Sequence, residues 1–293
     1  MITLEIARQH LKLPTTLDEA NFCPYIPDAI ERYLRPFLGE TLIALLWSKF
    51  TGSLEQEDDE RLTALMNYVS APLSRFTFLV AAPSLDINVG QAGFTTAGGG
   101  NMVPASEGRV NRFTASIERL GWDGVETLLR FLVENKKDYE EWTDSDAYKV
   151  FTQNFIRSAV LFNAHVDIDA SYLKFYRLNQ KMMMVETLQI EPLLGTELYQ
   201  ALKAESIEGT NVNVVRVKAI DLTCKAIAML TMVQDGVEAY RLPSGHVYNM
   251  LRDHINAHPD DFPEKFPEGS QTTRAPYSNY ENTEDNAFFV FGG

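Results

Sequence analysis

Cysteine is nearly missing from this sequence: Cys23 and Cys224 are the only two, they stand some 200 positions apart, and no C-x-x-C occurs. That excludes a disulfide framework and a thiolate zinc site. A basic surplus is missing too. Lys plus Arg number 26 against 40 Asp plus Glu, a formal charge of −14, whereas a protein that grips nucleic-acid phosphates over a broad face carries the opposite balance. Long apolar runs are absent: stretches such as 42–47 and 78–82 fall far short of the roughly 20 residues that span a bilayer. The first 14 residues mix Glu5, Arg8, His10 and Lys12 with apolar ones, unlike a secretory signal. The default expectation is a soluble cytoplasmic chain without a membrane partner.

What is present is ordinary globular material, 293 residues with 45% hydrophobic and 23% charged, enough for one large or two modest domains. The most informative pattern is internal. Leu34-Arg-Pro-Phe-Leu-Gly39 and the seven residues after it align with Ile190-Glu-Pro-Leu-Leu-Gly195 and its continuation, 156 positions later, with five of thirteen residues identical. Each copy reads as a helix stopped by proline (Pro36, Pro192), a corner where glycine (Gly39, Gly195) permits positive φ, and a second amphipathic helix. The helix entering the second copy is expected to start at Tyr172, capped by Ser171, with Phe175, Leu178, Met182, Val185 and Leu188 on its apolar face. Downstream, 62–82 and 214–233 match in length and apolarity, and Pro72 should kink or split the first.

The expected fold is therefore mainly α: duplicated helix-corner-helix units in a helical bundle, with a small β-hairpin or long loop inserted and an extended C-terminal tail. The expected boundaries are an N-terminal segment 1–21, a first unit 22–150 containing the insertion 84–107, a second unit 151–258, and a tail 259–293. Between the units, 108–120 and 122–136 read as separate helices, and Asp144 or Ser145 starts a third running to about Phe162. The insertion contains an alternating stretch from Leu85 and the run Gly98-Gly99-Gly100. The tail reads as coreless until an abrupt apolar cluster, Phe288, Phe289, Val290 and Phe291, which should dock on its own chain or on a partner.

Residues with chemical potential are scattered. His254 and His258 stand i, i+4 but lack the glutamate of H-E-x-x-H, so a polar helix face is the preferred reading. Asp167 and Asp169 suit a turn before Tyr172. The glycine run has no third glycine for a dinucleotide loop, and Ser244 and Cys23 sit in no nucleophile motif. Glu140 and Glu141 read as a solvated face, and Met182 to Met184 as adaptable core packing. No catalytic residue, metal ligand or cofactor is expected.

With Leu34-Arg-Pro-Phe-Leu-Gly39, its copy ending at Gly195 and the terminal Phe288-Phe-Val-Phe-Gly-Gly293 in view, the chain resembles an uncharacterised group of phage and prophage proteins of gut-type bacteria, similar to head-tail connector adaptors. The likeness runs loosely over 22–258 and includes the last six residues. It implies a mainly helical adaptor that assembles into a ring between portal and tail, with protein partners (portal or tail components, or other copies of itself), and a location in the cytoplasm or the virion. The chain departs from the simple connector in carrying two units and a long tail. Two other readings stay open: an enzyme with a site around His165, Asp167 and Asp169, and a binding module that uses the glycine loop.

Overall fold

Apolar residues recur at three- and four-residue intervals along most of the chain, and the result is a mainly helical protein. The structure is a computed structural model that describes residues 2–11, 13, 17–52, 59–85, 87–90, 93–96, 107–209 and 212–267. In order, the helices are α1 (Leu4–His10), α2 (Glu19–Phe22), α3 (Ile26–Ala29), α4 (Arg35–Leu38), α5 (Glu40–Thr51), α6 (Glu60–Leu85), α7 (Glu107–Glu134), α8 (Glu140–Thr143), α9 (Asp146–Thr152), α10 (Ala159–Asn163), α11 (Tyr172–Val185), α12 (Glu191–Leu194), α13 (Thr196–Glu208), α14 (Val214–Gln234) and α15 (Arg241–Ala257). Between α6 and α7, β1 (Ile87–Gly90) and β2 (Gly93–Thr96) pair antiparallel, with Ile87 opposite Thr96 and Gly90 opposite Gly93. The glycine run 98–100 and residues 288–291 lie outside the described residues.

Two compact units divide the chain, Met1–Met183 and Met184–Gly293. The line falls inside α11 and not near residue 150, because residues 151–183 bond into the first unit. Asn154 donates to Asn179 O at 3.2 Å, Asn179 donates to Val150 O, and Glu126 on α7 takes the Ser171 hydroxyl at 2.7 Å and the amides of Tyr172 and Leu173 at 3.1 and 2.9 Å. A carboxylate there satisfies orphan N–H groups and the positive end of α11 together. Ser171 caps the same helix, accepting from Lys174 N at 3.1 Å.

The first unit is built on α6 against α7. Leu62, Leu65, Val69, Leu73 and Phe76 form one buried stripe, and Val125, Leu128, Leu129 and Leu132 the other. Each such side chain contributes about 1.5–3 kcal/mol by leaving water. The expected break between 120 and 122 is absent: α7 is continuous, and Gly121 serves another purpose. A Cβ there would sit 2.6 Å from Phe76 Cε1, and one at Gly124 would sit 3.0 Å from Pro72 Cδ. Gly121 lets α7 approach the Phe76 ring and Gly124 the Pro72 ring; Phe76 in turn stacks on Tyr33 at 4.2 Å and meets Trp122 edge-on at 5.1 Å. Pro72 lies within α6 without splitting it into two helices.

Several other boundaries moved. The single helix expected from Asp144 or Ser145 to Phe162 is two, α9 and α10, because Ser158 starts a second one by accepting from Leu161 N at 3.1 Å. The N-terminal segment contributes to the core through Ile2, Leu4, Ala7 and Leu11. Residues 259–267, expected as the start of a coreless tail, belong to the second unit: Phe262 is fully buried there and its ring lies under the Arg216 guanidinium at 5.6 Å. Around Arg216 the second unit packs α14, whose Leu222, Ala226, Ile227 and Ala228 are buried, with Leu251 and Ile255 of α15 also inside.

Gly121→Ala should lower unfolding free energy by about 1–3 kcal/mol, because the ring it would strike is itself stacked and cannot turn away freely. Gly124→Ala, with a longer approach, should cost less; urea midpoints of the two variants check the order.

Candidate functional site

At each corner, backbone chemistry comes first. Proline at 36 and 192 brings no N–H to the preceding turn and its ring crowds it, so the helix widens there. Ile30–Leu34 and Glu186–Ile190 are π turns, closed by Arg35 N on Ile30 O and by Glu191 N on Glu186 O. The proline thus opens a helix turn where the sequence suggested a stop. The extra residue also rotates the side chains of that turn about the helix axis, which explains a misplaced apolar residue: Leu188 is 66% exposed and Ile190 is buried in its stead. One turn later Gly39 (φ 77, ψ 167) and Gly195 (φ 83, ψ 145) make the corner, and α5 and α13 begin.

Such short turns leave carbonyls without helical partners. In the first unit the Tyr176 hydroxyl donates to Pro36 O at 2.8 Å, and the buried indole N–H of Trp142 donates to Phe37 O at 2.8 Å. In the second unit Lys265 donates to Leu193 O, the position matching Phe37. Burial pulls the Lys265 ammonium below its ordinary range, as its place against the corner requires. Beside this corner Glu186 is buried and accepts from the Tyr199 hydroxyl at 2.6 Å, with Lys203 Nζ at 3.8 Å.

The first corner opens into a cleft of about 460 Å³ lined by Pro36, Gly39, Ser145, Ala147, Val150 and Tyr176, with Arg35, Glu40, Asp144 and Asp146 also on it. Arg35 pairs with Glu31 and Glu40, and Lys149 with Asp146 at 2.6 Å. These charges are largely exposed and already paired, so the cleft offers shape and surface charge more than a prepared acid or base. A second cleft, about 610 Å³, lies between α1, α5 and α6. Within it Ser70 Oγ is 3.3 Å from His10 Nε2 and 3.2 Å from Asn67 O. Burial, then the Arg75 charge, holds the His10 imidazole below its usual range. Sixty residues separate His10 from Ser70, and no local pattern marks either.

The residues singled out from sequence fall in several places. Pro36 and Gly39 line the corner cleft, and Pro192 and Gly195 form the other corner. His254 donates to Val215 O at 2.9 Å and His258 to His254 O at 2.8 Å, with the rings 4.7 Å apart and half-buried rather than on an open face. Asp167 folds an Asx turn onto Asp169 N at 2.8 Å, and Asn163 Oδ1 takes the amides of Ile168 and Ala170 at 2.8 and 2.9 Å. Those bonds hold Asp169 and Ala170 at positive φ, 59° and 47°. Ser244 donates to Arg241 O at 2.9 Å inside a helix. Burial pushes the Cys224 thiol up to about 12 and raises that of Cys23, both away from thiolate character. Of the three methionines only Met182 is core; Met183 and Met184 are 44% and 45% exposed. Among the described residues no group of three or more His, Cys, Asp or Glu side chains is placed to hold a metal ion, and no helix is long and apolar enough to cross a membrane.

Sequence reasoning passed over the two ion-pair centres. Glu141, read as solvated, accepts both guanidinium nitrogens of Arg61 at 2.9 and 3.0 Å, and Asp59 takes one at 3.1 Å. Burial opposes ionisation of both carboxyls, but the Arg61 hydrogen bonds outweigh it and hold each below its ordinary range. In the second unit Arg216, 9% exposed, bonds Glu205, Glu264 and Asp261 O.

Residues 34–152, less than half of the chain, match a family described as "Family of unknown function (DUF6712)". The matched stretch starts at the corner, ends with the last residue of α9, and contains all the lining of the corner cleft except Tyr176. No curated protein and no solved structure matches the chain.

The corner and the Arg61 centre each give a measurable outcome. A Cβ at Gly39 would lie 2.8 Å from Ser145 Cβ, and one at Gly195 meets nothing within 4 Å. Both positions carry positive φ, which costs a non-glycine residue about 1–2 kcal/mol, so Gly39→Ala should destabilise more than Gly195→Ala in urea titrations. Because the Glu141 and Asp59 carboxyls sit below their unfolded values, their stabilisation is whole above those values and fades as pH falls through the folded ones. The advantage of the natural chain over Arg61→Met, about 1 kcal/mol at pH 7, should begin to shrink as pH falls below about 4.5, the ordinary carboxylate range, and keep shrinking as the lowered folded values are passed, as read from denaturation midpoints at successively lower pH.

Proposed function

We propose that this chain is a non-catalytic structural or assembly protein of phage or prophage type, built from a duplicated helix-corner-helix unit and acting through protein partners in the manner of a head-tail connector adaptor. The observation that carries the reading is the repeated corner. A π turn, a proline one turn before a positive-φ glycine, a carbonyl held by a distant donor and a following helix of 12 or 13 residues occur at 30–51 and again at 186–208. Each irregular turn is held by a donor from a distant residue, Trp142 in one unit and Lys265 in the other, which fits a role in packing and shape.

The charged side chains support the same reading. Arg61, Arg216, Glu126, Glu141 and Glu186 each hold helices or turns in place. The Asp167–Asp169 turn, the place an enzyme reading would look first, spends its carboxylates on backbone and on Lys174. A formal charge of −14 suits a body past which DNA moves without sticking. Phe288, Phe289, Val290 and Phe291 are the proposed partner-binding element, since each large apolar side chain left in water forgoes about 1.5–3 kcal/mol. The location that fits is the cytoplasm during assembly and the virion afterwards.

Sedimentation velocity of the purified chain over a hundredfold range of concentration tests the proposal. A closed species of defined mass that dissociates when residues 287–293 are deleted is the expected result. A monomer at every concentration, in the presence and absence of portal and tail proteins from the same genome, would overturn it.

A further inference from the structure

The cleft between α1, α5 and α6 differs from the rest of this acidic protein. Ile6, Phe50 and Met66 give it an apolar lining, and among the described residues that line it His10 and Lys49 are the ionisable ones and none is a carboxylate. At about 610 Å³ it has the size of clefts that take a few large side chains. Met66 and Phe50 are half-buried, so the lining is partly exposed to whatever enters. An aromatic group resting on a methionine sulfur and a phenyl ring gains contact beyond simple burial.

Resting on the assembly reading above, we propose that this cleft in one copy of the chain receives Phe289 and Phe291 of a second copy. Extended, residues two apart present their side chains on one face, so these two rings enter together and Phe288 and Val290 lie on the other side. Charge points the same way. The residues just before the aromatic run include Glu281, Glu284 and Asp285, which the chain's overall negative charge repels, whereas among the described residues that line the cleft there is no carboxylate to repel them. Reach is sufficient: the 20 residues from 268 to 287 span up to roughly 70 Å when fully extended, enough to leave the copy that carries them.

The test is a photo-crosslinker, p-benzoylphenylalanine, placed at Phe289 of the full chain, with equal amounts of ¹⁴N- and ¹⁵N-labelled protein mixed before irradiation. Cross-linked peptides should join residue 289 to α1, α5 or α6, at 6–10, 49–50 or 63–70, and should include mixed-isotope pairs. Met66→Glu, at a side chain open enough to carry a charge without unfolding, should cut their yield about tenfold, equivalent to 1.4 kcal/mol, with Tm unchanged. Single-isotope pairs alone would mean that the chain docks its own segment, and would overturn the proposal. Cross-links elsewhere, or a yield indifferent to Met66→Glu, would overturn it as well. If the sedimentation experiment shows assembly while the cross-links land elsewhere, only the docking idea fails; if the chain is monomeric throughout, the assembly reading fails with it.

Discussion

Two backbone carbonyls, Phe37 O and Leu193 O, set the terms on which this protein folds. Each stands at the end of a one-turn helix cut short by a positive-φ glycine, so it has no partner of its own, and a buried carbonyl without one costs several kcal/mol in an apolar surround. The first is met by the Trp142 indole and the second by the Lys265 ammonium. Residues 105 and 72 positions away are thereby tied to their corners. These bonds act beside the Glu126 bonds that tie α11 into the first unit and the burial of Phe262 in the second.

The ion pairs obey the same logic of local need. Glu126 answers the open amides at the start of α11, Glu141 and Asp59 answer Arg61 where α6 begins, and Arg216 gathers Glu205, Glu264 and Asp261 O over the Phe262 ring. Breaking such a set by removing one member leaves an uncompensated charge, so these pairs specify arrangement more than they add net stability. Most of the favourable free energy lies in the apolar stripes of α6, α7 and α14.

Periodicity alone determined that the chain is mainly helical, and at the paired Pro-x-x-Gly stretches Gly39 and Gly195 take positive φ between helices, because proline and glycine act on their own backbone and need no distant partner to do so. The Ser171 cap of α11 and the Asp167 turn were legible for the same reason: their bonds close within a few residues. What only the tertiary structure decided involves two distant places at once. Gly121 reads as a break until the Phe76 ring is beside it; Leu188 reads as core until a π turn rotates it outward; Glu141 reads as solvated until Arg61, 80 residues earlier, takes its charge. The His10–Ser70 contact and the cleft around it have no local signature, since α1, α5 and α6 carry their residues for separate helical reasons and become one surface only when packed.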